Sequence, residues 1–159
     1  MKKIFLAVMA FATLALAGCN GTNEPTGDNV LHFRGTSNIY EFECNHDLYI
    51  TLHEAENKAD VKWSQIRFAE NEQPVDLYAY GLELMIERDG AGNKVYYNVQ
   101  GDVPLKLANG TEHPYSPINF FWFYDAVPEN NPDNVANADY HFMGAGGDLA
   151  GFFTGTLVK

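Results

Sequence analysis

Apolar and polar residues alternate with a period of two along most of the chain after residue 30. This pattern predicts β-strands rather than helices, since successive strand side chains point to opposite faces. The predicted strands are 38–44, 46–53, 61–68, 76–88, 94–100, 103–108, 118–124, 140–143 and 151–158. Residues 54–60 favour at most one helical turn. About nine short strands predict an all-β fold: a single small antiparallel β-barrel, with a β-sandwich as the alternative. Barrel closure is favoured because it leaves no exposed strand edges.

Two hairpins stand out in this pattern. The even positions from Tyr78 to Ile86 form an apolar row, residues 89–93 supply a turn, and residues 94–100 return with alternating apolar positions. Residues 140–143 and 151–158 are predicted to form the closing pair, joined through the glycines at 144–147. No internal repeat and no second domain are apparent.

The predicted strand 118–124 departs from the alternating pattern, because both of its faces carry aromatic side chains. A strand with one buried face should be apolar on that face only. One interpretation is that residues 125–139, which read as a long polar loop, fold back and cover the strand. The other is an aromatic surface for a partner protein or an apolar ligand, formed by Phe121, Trp122, Phe123 and Tyr124.

The first residues are typical of an export signal. Lys2 and Lys3 precede an apolar run at 4–17, which is shorter than the roughly 18–20 residues that a membrane-spanning helix needs. The ending Leu-Ala-Gly-Cys at 16–19 resembles the lipobox of bacterial lipoproteins. The resemblance implies cleavage before Cys19 and lipidation of its sulfur with fatty acyl chains.

The resemblance, together with the lack of large apolar side chains at 20–29, divides the chain into three parts. Residues 1–18 are the predicted signal peptide, residues 19–29 a lipidated cysteine with a flexible tether, and residues 30–159 the barrel or sandwich domain. Asn20 follows the lipidated cysteine, where an aspartate would imply inner-membrane retention in the enterobacterial sorting pattern. We therefore expect anchoring in the cell envelope, at the outer membrane.

The net charge narrows the classes of partner. It is −11 for the whole chain, and without the two signal-peptide lysines it becomes −13. Such a charge repels phosphate backbones and anionic lipid headgroups, so nucleic acid is not expected as a partner. Membrane attachment is expected to depend on the lipid at Cys19. A basic partner protein is compatible with this charge.

The cysteines and the search for catalytic motifs indicate neither a disulfide nor an enzyme active site. With Cys19 lipidated, Cys44 has no intramolecular partner, so no disulfide is expected. It should lie on one strand face with Tyr40 and Phe42, as a buried thiol. The chain contains no Gly-x-Ser-x-Gly motif and no obvious Cys–His pairing, and the domain is predicted not to be an enzyme.

The sequence also predicts no metal or cofactor. His46 and His53 lie seven residues apart, which places them on opposite faces of a strand. The oxygen-rich loop 125–139 does not match a calcium loop, since Val135 occupies the third ligand position counted from Asp133. We interpret that loop as structural.

Residues 142–155 are similar to the closing hairpin of surface lipoproteins of the transferrin-binding-protein-B type. The shared features are glycines around a short acidic turn and a terminal aromatic strand. Met143 and Ala145 replace the tyrosine and proline of that family's pattern. The resemblance supports a barrel and implies no functional residue.

Together these observations predict an outer-membrane-anchored lipoprotein that acts as a non-catalytic binding module for an apolar ligand or a partner protein. The alternatives are an inhibitor or immunity-type lipoprotein that blocks a basic enzyme or toxin, and an envelope structural protein.

Overall fold

The computed structural model describes residues 24–144 and 149–158. The predicted signal peptide, Cys19, Asn20 and part of the glycine-rich turn at 144–147 lie outside the described residues. The strands are β1 (Val30–Ile39), β2 (Phe42–His53), β3 (Lys58–Ile66), β4 (Val75–Arg88), β5 (Lys94–Val103), β6 (Leu105–Leu107), β7 (Ile118–Asp125), β8 (Val135–Phe142) and β9 (Leu149–Leu157). A 3-10 turn at Glu54–Glu56 links β2 to β3, where one helical turn is predicted. No helix within the described ranges has the length and apolar character needed to cross a bilayer.

Eight strands close into an antiparallel barrel, which confirms the predicted fold class. The strand order is β3-β2-β1-β9-β8-β7-β5-β4, and β4 pairs with β3 to complete the cylinder. The short strand β6 also pairs with β4, where Ala79 lies opposite Leu105. Pro104 separates β6 from β5, since proline has no N–H to donate to a strand ladder.

The prediction of one strand over residues 38–44 is wrong, because a tight turn divides it. Ile39 pairs with Phe42 across a hairpin, and Tyr40 in the turn has φ 59°. Tyr40 is therefore exposed, whereas Cys44 is buried. A two-residue turn preserves the alternation of period two, so the pattern alone does not reveal it.

The predicted apolar row from Tyr78 to Ile86 is also interrupted. Gly81 adopts φ 73°, and the register between β3 and β4 shifts between Ala59 and Val61. This bulge changes the face to which even-numbered residues point. Leu82 is buried in the barrel, whereas Tyr78 is half-buried and Tyr80 is exposed on the outer wall.

The predicted loop 125–139 is shorter than expected, because β8 already begins at Val135. The buried residues at the start of β8 are Ala136 and Ala138, whose small side chains hide the apolar pattern. Ala138 lies opposite Trp122 on one side and Phe153 on the other. Small residues therefore occupy the positions that face large aromatic rings.

Aromatic side chains fill the interior of the barrel. The rings of Trp63 and Phe120 meet edge to face at 5.3 Å, and those of Phe33 and Trp122 at 5.6 Å. Glycines make room for other rings, since a Cβ on Gly151 would lie 2.1 Å from the ring of Tyr140. The interior is thus a packed core of side chains, as in other small barrels.

The described end of the predicted tether lies against the barrel wall. Asn29 accepts a hydrogen bond from the backbone N–H of Leu52 at 2.8 Å through its carbonyl, and its side chain donates to the Leu52 carbonyl at 3.3 Å. Pro25 is half-buried beside Tyr78 and Tyr80, with which it borders a shallow pocket. Residues 24–29 therefore contact the domain through both backbone and side chains.

Candidate functional site

Strand β7 separates the four predicted binding residues into two pairs. Trp122 and Tyr124 point into the barrel and are buried, while Phe121 and Phe123 point outward. The side chain of Phe121 is 36% exposed, and that of Phe123 is half-buried. The part of segment 125–139 that belongs to β8 lies beside β7 rather than over it, and Phe121 is exposed. An outer binding surface can therefore include Phe121 and Phe123, but not Trp122 or Tyr124.

Neighbouring strands extend this surface, which we name the outer aromatic face. Its members are Met85 on β4, Tyr96 and Asn98 on β5, Phe121 and Phe123 on β7, and Phe152 on β9. The rings of Phe121 and Phe123 lie 6.1 Å apart between centroids. Met85 is 46% exposed and Phe152 is 43% exposed, and each lies two strands from β7, on opposite sides of it.

Asn98 is the buried polar residue of the outer aromatic face. It lies between Met85 and Phe123 in the strand register and is only 6% exposed. Its Oδ1 atom is buried without a hydrogen-bond partner among the described residues. An unpaired buried acceptor costs about 1–3 kcal/mol, which a donor on a bound partner would offset. Met85 is a flexible side chain that could move aside for such a donor.

Carboxylates surround the outer aromatic face. Asp139 lies between Phe121 and Phe152, and the others are Glu83, Glu87, Asp102 and Asp125 on the same wall. Burial, followed by the neighbouring charges of Glu87 and Asp125, raises the pKa of Tyr96. Of the nearby cations, Arg88 and Lys94 are paired with Glu54 at the strand ends, and Lys58 on β3 lies opposite Glu83 in the strand register. The face therefore has an apolar centre within a negative border.

A buried polar network lies inside the barrel, away from this face. Tyr140 donates to Ser37 Oγ, Ser37 contacts His46 Nε2 at 2.5 Å, and His46 Nδ1 lies 3.1 Å from the Asp47 carbonyl. Burial lowers the pKa of His46 to about 4. Ser37 is fully buried and His46 is 6% exposed, so the pair is a contact within the core.

Cys44 is buried close to that network. Its Sγ lies 3.7 Å from the carbonyl of Asn45 and 4.0 Å from that of Gln65. It is a free thiol in the described structure. A thiol in this position is shielded from solvent and acts in packing.

The side chain of Asn131 organises the loop between β7 and β8. Asn131 donates to the carbonyls of Asp125 and Val135, and it accepts from the N–H of Val135, each at 2.8 Å. In residues 24–144 and 149–158, no group of three His, Cys, Asp or Glu side chains is placed to hold a metal. Of the histidines, His53 contacts Asp60 at 2.9 Å and His32 stacks on Tyr49.

Sequence reasoning missed Met85, Asn98 and Phe152 as members of the outer face. Met85 occupies an odd position of β4, opposite in phase to Leu84 and Ile86, and this phase is the signal that could have identified it. Asn98 and Phe152 join the surface only through strand pairing over long sequence distances.

Comparison with protein-family models, with curated proteins and with solved structures finds no match to this chain. Its fold class is therefore what the structure assigns to this chain: a small closed antiparallel barrel with a filled interior.

Proposed function

We propose that this chain is a lipid-anchored, non-catalytic binding module of the cell envelope, most simply at the outer membrane. Its partner is a protein whose apolar centre contacts the outer aromatic face. The observation that carries the proposal is the outward-facing ring pair of Phe121 and Phe123 on β7, on a barrel whose interior is already filled. Met85 and Phe152 are exposed two strands away on either side of β7. A filled interior directs binding to the outside, in contrast to barrels that enclose an apolar ligand.

The charge of the wall specifies the partner further. The carboxylates of Glu83, Asp102 and Asp139 border the apolar centre, so a matching surface carries lysine or arginine around apolar residues. Complementary charge accelerates association and makes it sensitive to ionic strength. Two copies of this wall would instead bring carboxylates together. The acidic border therefore argues against self-association as an envelope structural protein.

The same border favours a second candidate function, an inhibitor or immunity-type lipoprotein that blocks a basic enzyme or toxin. The two functions share the surface and differ in what happens to the partner. Inhibition of the captured partner's activity would support the second candidate, and binding without inhibition the first.

Site-specific photo-crosslinking in cells tests the proposal. A benzoylphenylalanine replacing Phe121 should crosslink to a specific basic protein, whereas the same probe replacing Asn45, exposed on β2 and four strands away from β7, should not. The Phe121→Ser and Phe123→Ser double variant should weaken capture of that protein, and added salt should do the same. Equal crosslinking from both positions, or none from Phe121, would contradict the proposal.

A further inference from the structure

One end of the barrel carries a pocket that the outer aromatic face does not include. It lies between the loop 67–74, which joins β3 to β4, and the loop 108–117, which joins β6 to β7. Its volume is about 490 Å³, within the range of small-ligand sites, and its lining includes Phe68, Glu72 and Tyr115. We name it the end pocket.

Stacked rings form one wall of the end pocket. Phe68 and His113 are stacked, with centroids 5.5 Å apart and planes 23° apart, and Tyr115 meets Phe68 edge to face at 4.8 Å. Phe68 also contacts Phe142 at 5.0 Å, and Phe142 belongs to the buried core. The aromatic wall is therefore anchored to the barrel interior.

Hydrogen bonds hold the second loop in place. The N–H of His113 donates to the Leu105 carbonyl at 2.8 Å, and Ser116 Oγ accepts from the N–H of Leu105 at 3.1 Å. The Tyr115 carbonyl accepts from the N–H of Gly144, where a Cβ would lie 2.3 Å from the Pro114 carbonyl. The rings are thus positioned before any ligand arrives, which lowers the entropic cost of binding.

The electrostatics of the end pocket favour a cation. Glu72 supplies the carboxylate in its lining, and within the described ranges no lysine or arginine forms an ion pair with it. The nearby Arg67 lies instead over the ring of Phe42. Burial lowers the pKa of His113, and its Nδ1 accepts from the Tyr115 N–H, so its ring is neutral at pH 7.

We propose that the end pocket binds an alkylammonium cation, with aromatic rings contacting its methyl or methylene groups and Glu72 balancing its charge. Cations are attracted to the faces of aromatic rings, and a nearby carboxylate strengthens the attraction. The strongly negative net charge of the chain raises the local concentration of any such cation. The site is separate from the outer aromatic face and does not depend on the function proposed for it.

Saturation-transfer NMR on the full-length protein in maltoside detergent tests the site, with protein-free micelles as the blank. Choline should bind with a millimolar dissociation constant, and its neutral isostere 3,3-dimethyl-1-butanol about tenfold more weakly. Titration with n-butylammonium distinguishes a quaternary ligand from a lysine-like primary amine. Equal binding of choline and the neutral isostere would overturn the proposal, as would the absence of binding by both cations.

Matched variants assign the binding to the pocket. Glu72→Gln should weaken choline binding about tenfold, whereas Glu70→Gln, an exposed carboxylate of the same loop outside the lining, should leave it unchanged. Tyr115→Leu should also weaken it, and the circular dichroism spectrum checks that this variant folds. Phe121→Ser should have no effect. Equal losses from Glu70→Gln and Glu72→Gln would indicate general surface charge and overturn the assignment.

Discussion

Protonation of the buried His46 should make the stability of this barrel depend on pH between about 6.5 and 4. The ring faces Ser37, Tyr140 and the Phe153 ring inside the barrel, and the Asp47 carbonyl accepts from Nδ1. A second proton on Nε2 would remove the acceptor to which the Ser37 hydroxyl donates, so that buried O–H would lose its partner. Burial disfavours the charged form as well, which explains the lowered pKa of about 4.

The sign and the size of the effect follow from linkage. The unfolded chain binds the proton below its ordinary pKa of 6.5, while the folded protein does not until about pH 4, so stability falls as pH decreases through this window. At pH 5, His46 lowers the free energy of unfolding by about 2 kcal/mol relative to its value well above pH 6.5, and near pH 4 this loss approaches about 3 kcal/mol. A small domain has roughly 5–15 kcal/mol of stability, so this loss is measurable.

Urea unfolding followed by tryptophan fluorescence at pH 7 and pH 5 measures the effect. His46→Gln keeps a hydrogen-bonding side chain but cannot titrate, so it should lose about 2 kcal/mol less than the wild type between these values. The lowered pKa of His113 contributes to both proteins and cancels in the difference. The lowered pKa values of Asp47 and Asp76 act mainly at more acidic pH. Identical losses in the two proteins would refute this account of His46.

Three further perturbations have expected outcomes of different kinds. Phe121→Ser should lower the free energy of unfolding by less than about 1 kcal/mol, because its ring faces outward. Trp122→Ser should lower it by about 3–5 kcal/mol, because that ring is buried. Urea titration compares the two variants, and equal losses would contradict the assignment of Phe121 to the outer face and Trp122 to the core. Gly151→Ala should cost about 1–3 kcal/mol through contact with a buried tyrosine ring, and Gly90→Ala, with open space around its Cβ, should be nearly neutral in the same assay. Cys19→Ser should move the protein from the membrane fraction to the soluble fraction, and retention in the membrane would count against the lipid anchor.

The periodicity of the chain was sufficient to predict the fold class and most of the strands. The β4–β5 hairpin agrees with its prediction, because its apolar rows and turn residues are local signals. The pairing of β8 with β9 was likewise predictable from their position and composition. These features depend on residues that are close together in the chain.

Features that depend on a distant partner were not predictable. β1 was missed because its inward positions include Gly35 and Ser37. A Cβ on Gly35 would lie 2.1 Å from the Thr154 carbonyl, and Ser37 lies opposite Phe153. Gly81 is a sequence signal for a bulge, but the reversal of phase in β4 is visible only in its register with β3. Side-chain size at these positions is set by neighbours across the barrel.

The candidate surfaces show the same division. The sequence by itself determined that β7 is aromatic on both faces, but only barrel closure decided that Trp122 is core and Phe121 is surface. The strongly negative net charge is also a property of the sequence. The position of Asp139 between Phe121 and Phe152, in contrast, results from the pairing of β8 with β7 and β9. The physical reason is that composition and alternation are properties of the chain, whereas the inside and outside of a barrel exist only after its first and last strands have paired.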